Sequence, residues 1–184
     1  MTECPELRVI AKLRWQLFIT LTFRKAELSN RVRASMLIAF VREVENATRV
    51  PPRRLLWCCR EELGETGGRL HFHLLMGGLP AERVHVGQCF RIMRIWEKRI
   101  RGGFARARLF DPMLDGVGYV LKGLSGEDFY ESGKFSQKAQ LMLSESCFRV
   151  VGRGFFRERE SVNTGEKSYS AWLRKVKSTW CLSA

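Results

Sequence analysis

The chain has nothing close to the run of roughly 18 apolar residues that a membrane-spanning helix needs, so no span is expected. Its opening stretch, MTECPELRVIAKLRWQ, scatters charges where a secretory signal would be apolar. Cysteine is present six times, at 4, 58, 59, 89, 147 and 181, but never as C-x-x-C. That spacing matches neither a zinc ribbon nor a compact disulfide framework. The cysteines therefore read as reduced thiols of a cytoplasmic protein, with Cys58 and Cys59 packed in an apolar run. No G-x-x-x-x-G-K-[ST] appears, so no helicase domain is expected in this chain. Internal repeats and low-complexity tracts are also missing. Acidic residues are in short supply, 19 against 32 basic, which leaves a net charge of +13 on 184 residues. Arginine supplies 23 of the 32. So positive a surface suits a polyanion, and for a globular domain the expected polyanion is nucleic acid.

With 45% apolar residues the chain can build a core. Residues 14–23 (RWQLFITLTF) are β-branched and aromatic and end in alternation, as a central strand does. Ser29-Asn30 can cap a helix over 31–46 with Val32, Met36, Ala39, Phe40 and Val44 as its apolar stripe. Strands follow at 55–62 and 69–76, joined through LGETGG into a hairpin. A helix is predicted over 88–101, with Phe90, Met93, Ile95, Trp96 and Ile100 inward. A fourth strand fits 104–110, and Asp111-Pro112 starts a helix to about Leu124 despite Gly116 and Gly118. The order β-α-β-β-α-β-α predicts an α+β sandwich with an antiparallel sheet of about four to five strands, helices and a C-terminal extension. In that extension a strand is predicted at 146–156 and a helix at 168–181. The helix carries a stripe of Tyr169, Trp172, Val176 and Trp180 expected to dock on the domain.

His71-Phe72-His73 lies inside the third strand, where alternation points both imidazoles to one face. Two such rings can grip one divalent cation. If the hairpin loop is the four residues 64–67, Glu62 opposes Arg69 and shares the histidine face; an odd loop would put Glu61 there instead. Two imidazoles and a carboxylate suit Mg²⁺ or Mn²⁺, with positions left for water or phosphate oxygens; zinc fits the ligand types as well. Further on, Tyr119 and Lys122 stand at i, i+3, which places them on one face of the predicted helix. A nearby ammonium and a metal-polarised target both ease attack by a phenol.

Phe18-Ile19-Thr20-Leu21-Thr22-Phe23, then His71-x-His73, then Tyr119-x-x-Lys122 resembles the three motifs of the HUH endonucleases. Among these, the match is to rolling-circle replication initiators with a single catalytic tyrosine. The resemblance spans roughly 14–124 and implies a nuclease domain at 1–124 followed by the extension at 125–184. It implies a ferredoxin- or RRM-like fold with the active site on the sheet face. It also implies Tyr119 as nucleophile, Lys122 as the cation that neutralises charge at the phosphate or helps position the metal complex, and His71, His73 and Glu62 as ligands of Mg²⁺ or Mn²⁺. The implied activity is nicking and joining of single-stranded DNA at a plasmid or phage origin, hairpin forms included, through a 5′-phosphotyrosine. A host helicase and polymerase are the implied partners, and no membrane. Arg24, Lys25, Arg106 and Arg108 are candidate DNA contacts. Tyr130 and Tyr169 are alternative nucleophiles, but neither has a lysine at i+3. A transposase or relaxase would share the chemistry, whereas a non-catalytic RRM-like binding module would need neither the histidines nor a metal.

Overall fold

The computed structural model of the chain describes residues 5–64, 69–122, 141–147 and 149. Its organising strand is β1 (Trp15–Thr22), in which Leu17, Ile19 and Leu21 are buried and Phe18, Thr20 and Thr22 are half-buried. Strand β1 pairs antiparallel with β3 (Leu70–Gly77) on one side and with β4 (Ala105–Leu109) on the other. Strand β2 (Leu56–Leu63) pairs with β3, and a short β5 (Leu141–Leu143) extends the sheet from β2. The strand order is β4-β1-β3-β2-β5, a five-stranded antiparallel sheet. With α2 (Asn30–Thr48) between β1 and β2 and α3 (Val86–Arg94) between β3 and β4, the chain forms the expected ferredoxin-like α+β sandwich.

Period-two alternation sends each strand's odd and even residues to different layers. Leu17, Ile19, Leu21, Phe72, Leu74, Met76, Trp57 and Cys59 meet Leu37, Phe40, Val41 and Val44 of α2 and Cys89 and Ile92 of α3. Each fully buried large side chain contributes about 1.5–3 kcal/mol. Phe23 stacks edge-on against both Phe72 and Trp96, with centroids 4.9 and 5.6 Å away. Helix α3 runs into a π-helical stretch over Ile95–Ile100, which tucks Ile95 and Trp96 inward. The Trp96 indole donates to the Thr22 carbonyl at 2.9 Å. A Cβ at Gly102 would fall 2.2 Å from that ring, so glycine is required there. The opposite sheet face is covered over part of its area by α1 (Pro5–Ala11) and α4 (Gly116–Leu121), through Ile10, Trp15, Cys58, Leu75 and Val120. Among the described residues no further element covers the rest of that face.

Several sequence expectations shift. The α2 stripe is rotated: Leu37 and Val41 are inside, Val32 is exposed and Met36 only half-buried. Residues 32–44 carry two overlapping apolar stripes, and the ion pair of Arg33 with Glu61 of β2 goes with the Leu37–Val41 side. In α3, Phe90 is exposed, and Cys89 and Ile92 take the inward places. The helix predicted from Asp111 to Leu124 is broken. Pro112–Leu114 is a 3₁₀ turn, Asp115 turns left-handed at φ 44°, and α4 covers Gly116–Leu121 only. The strand predicted at 146–156 is not formed where it is described, since residues 145–147 and 149 are helical; the strand of this region is β5, three residues long. The helix predicted at 168–181 lies outside the described residues, as do Tyr130 and Tyr169. No helix among the described residues is long and apolar enough to cross a membrane.

Candidate active site

The β2–β3 register decides which acid joins the histidines. Leu63 faces Leu70, Glu62 faces His71 and Arg60 faces His73. The Gly64 amide donates to the Arg69 carbonyl at 3.0 Å, so Gly64 is paired and the expected loop 64–67 does not hold. Glu62 therefore opposes His71, not Arg69. The displacement is an even number of residues, so face parity survives and Glu62 stays on the histidine face. Glu61 points to the other layer, opposite Phe72, and is ion-paired with Arg33.

Glu62 Oε2 lies 3.2 Å from His73 Nε2 and 3.7 Å from His71 Nε2. One ligand atom from each of the three residues falls within 4.8 Å of the others. The far ring nitrogens are held. His71 Nδ1 donates to the Arg69 carbonyl at 3.2 Å, since a carbonyl only accepts. His73 Nδ1 shares a hydrogen bond with the Thr20 hydroxyl at 3.2 Å. These contacts turn each Nε2 toward Glu62, as the rings of ligating histidines are oriented by a partner on the other nitrogen. The buried His73 Nε2 has Glu62 Oε2 as its polar neighbour, at 3.2 Å. Burial first, then His71 and Arg60, lower the His73 pKa to about 4 against a partial opposing effect of Glu62. The ring is therefore neutral at neutral pH, the form that binds a metal. Two imidazoles and a carboxylate are a donor set that could hold a divalent cation.

The nucleophile candidate comes from α4. Asp115 caps this helix, accepting from the Gly118 amide at 3.1 Å. Gly116 lets it sit tightly on β1, as a Cβ there would stand 3.0 Å from Phe18 Cδ2. Val120 is buried beneath, and Tyr119, on another side of the helix, is 45% exposed. The Tyr119 hydroxyl donates to Glu62 Oε2 at 2.9 Å, and its ring lies edge-on to His73 with centroids 5.0 Å apart. The helix ends earlier than expected: Leu121 is its last residue and Lys122 is its C-cap, where ψ of 126° turns the chain away. The Lys122 carbonyl accepts from Arg60 Nη1 at 2.5 Å, as do those of Tyr119 (3.3 Å) and Val120 (3.4 Å).

Arg106 and Arg108 are exposed on β4, opposite Thr20 and Phe18, and so share the open face with the histidines. The Arg108 guanidinium lies 4.8 Å over the Phe18 ring. Phe18, His73, Arg108, Leu114, Gly116 and Tyr119 line an open cleft of about 230 Å³ beside the ligand set. Arg24 and Lys25 are exposed just past β1 and are not among the residues that line the cleft. The sequence reading assigned no role to Thr20 or Arg60. Both carry a readable signal, because each is the cross-strand partner of His73, one on β1 and one on β2. His85, also without an assigned role, caps α3 by accepting from the Gln88 amide. Cys58, Cys59, Cys89 and Cys147 are buried free thiols; burial pushes the first two well up and Cys147 to about 12, which suits packing.

No family model, no curated protein and no solved structure matches the chain.

Proposed function

We propose that this protein is a metal-dependent endonuclease that nicks and rejoins single-stranded DNA through Tyr119. The observation that carries the reading is the convergence on one carboxylate oxygen. Glu62 Oε2 receives the Tyr119 hydroxyl at 2.9 Å and lies 3.2 Å from His73 Nε2. A phenol and a cation-ligating set from distant segments thus reach the same small volume on an open, basic sheet face. A single-stranded-DNA-binding module gains nothing from two histidines oriented in this way.

In the reaction, the Tyr119 oxygen forms a bond to the scissile phosphorus and the bond from phosphorus to the 3′ oxygen breaks. The departing oxygen takes up a proton and becomes a 3′-hydroxyl, while the 5′ phosphate stays on the tyrosine. A phenol with an ordinary pKa of about 10 attacks poorly at neutral pH, so its proton must be held; Glu62 Oε2 is placed to hold it. A divalent cation bound by His71, His73 and Glu62 (Mg²⁺ or Mn²⁺) would polarise a non-bridging phosphate oxygen. Arg106 and Arg108 flank the cleft on the side where a strand would cross β4 and supply forks for phosphates. Attack by an incoming 3′-hydroxyl reverses the step and joins DNA without ATP. Such chemistry suits initiation of rolling-circle replication at a plasmid or phage origin, with a host helicase and polymerase to follow.

The test uses a randomised pool of single-stranded DNA labelled at its 3′ ends, since the downstream fragment is the one captured. With Mn²⁺, wild type should retain label through SDS. EDTA, Tyr119→Phe and His73→Ala should each abolish retention. Retention by Tyr119→Phe, or none by wild type from any pool, defeats the reading.

A further inference from the structure

We propose that Arg60 is a positioning residue that holds the Tyr119 helix at its working distance from the ligand set. The inference rests on the nicking reading above. Helix α4 has six residues, two of them glycine. A helix so short has no stability of its own, and its last carbonyls lack partners within the helix. Arg60 Nη1 supplies them, donating to the carbonyls of Tyr119 (3.3 Å), Val120 (3.4 Å) and Lys122 (2.5 Å). Arg60 leaves β2 on the same face as Glu62, two residues away, and stands opposite His73 in the ladder. The hairpin that carries all three cation ligands therefore also carries the tether of the nucleophile. At its other end α4 is fixed by the Asp115 cap and by the contact of Gly116 with Phe18. With both ends secured, the side chain of Tyr119 is left to reach Glu62.

Rates of in-line attack are sensitive to such placement, and a displacement near 1 Å costs about 10²-fold. The guanidinium could instead act on substrate phosphate, and the two roles separate in kinetics. A phosphate contact shows as weakened DNA affinity that saturating DNA overcomes. A positioning role shows in the single-turnover rate at saturation, with binding unchanged.

The experiment compares full-length wild type, Arg60→Met and Arg60→Lys. Three quantities are measured: Mn²⁺ affinity by calorimetry, single-strand affinity in EDTA, and the adduct-forming rate at saturating DNA and Mn²⁺. The methionine variant should keep both affinities within about twofold and lose about 10²-fold in rate. Lysine, which donates to the same carbonyls with less reach, should recover about tenfold of that loss. Amide exchange over residues 119–121, read without DNA or metal, should quicken in Arg60→Met. If that variant does not fold, Arg60→Lys decides, with a rate between wild type and zero at unchanged affinities. An unchanged rate in an active background overturns the inference alone, as does a loss that appears only in DNA affinity. If wild type forms no adduct, the nicking reading fails and the role of Arg60 falls with it.

Discussion

The two faces of the sheet are built from the same strands and do opposite things. Along β1, Leu17, Ile19 and Leu21 are fully buried under α2 and α3, whereas Phe18 and Thr20 between them help build the cleft and hold His73. Along β3, Phe72 and Leu74 fill the core while His71 and His73 face Glu62. On β2, Glu61 pairs with Arg33 in the helical layer, and Glu62 one residue later receives the Tyr119 hydroxyl. Candidate site and core are thus interleaved at a spacing of one residue. The covered face makes the strands rigid, and the open face borrows that rigidity to aim its polar groups.

Substitutions on neighbouring residues can break this division. His73→Ala should abolish Mn²⁺ binding by calorimetry, yet lower the denaturation midpoint of the metal-free protein far less than Phe72→Ala does. Phe72→Ala should cost about 3–5 kcal/mol in urea unfolding. Equal stability losses for the two would mean that the faces are not separate in function. Thr20→Val removes the partner of His73 Nδ1 and keeps the side chain's shape, so it should weaken Mn²⁺ about 10–100-fold with stability nearly unchanged.

A smaller effect is expected in pH. In EDTA the folded protein holds His73 neutral down to about 4, against an ordinary value of 6.5. The unfolded chain takes up that proton earlier, so lowering the pH from 6.5 towards 4 favours unfolding, and this contribution levels off below that window. Urea midpoints at pH 7 and pH 5 should differ for wild type, and by less for His73→Gln; equal differences would contradict the assignment. The smallest effect concerns the packed thiols. Cys58, Cys59 and Cys147 should resist thiol reagents in the native protein and react on unfolding, as mass spectrometry of labelled protein can follow.

Strand parity was legible in the sequence, because period two is a local property. His71 and His73 share a face whatever the rest does, and Glu62 joins them for any even loop, so the misplaced turn did no harm. The α4 region was not legible in the same way. Asp111-Pro112 reads as the start of a long helix, but the turn at Asp115 and the close approach of Gly116 to Phe18 depend on a strand almost a hundred positions earlier. The two glycines counted against the helix locally and are used by the fold globally. Arg60 was hidden for the same reason, since its carbonyl partners lie 59 to 62 positions away. The three residues of β5 are too few for any periodicity to mark them.

In the proposed reaction the phenol of Tyr119 and the Glu62–His71–His73 set act on one phosphodiester. Peptide mapping of the covalent protein–DNA product, after the DNA is trimmed to a nucleotide, locates the bond. The expected result is a 5′-linked nucleotide on Tyr119 alone, formed only with a divalent cation. A nucleotide on Tyr130 or Tyr169, or a cleaved strand with a free 5′ phosphate and no linked peptide, would contradict it.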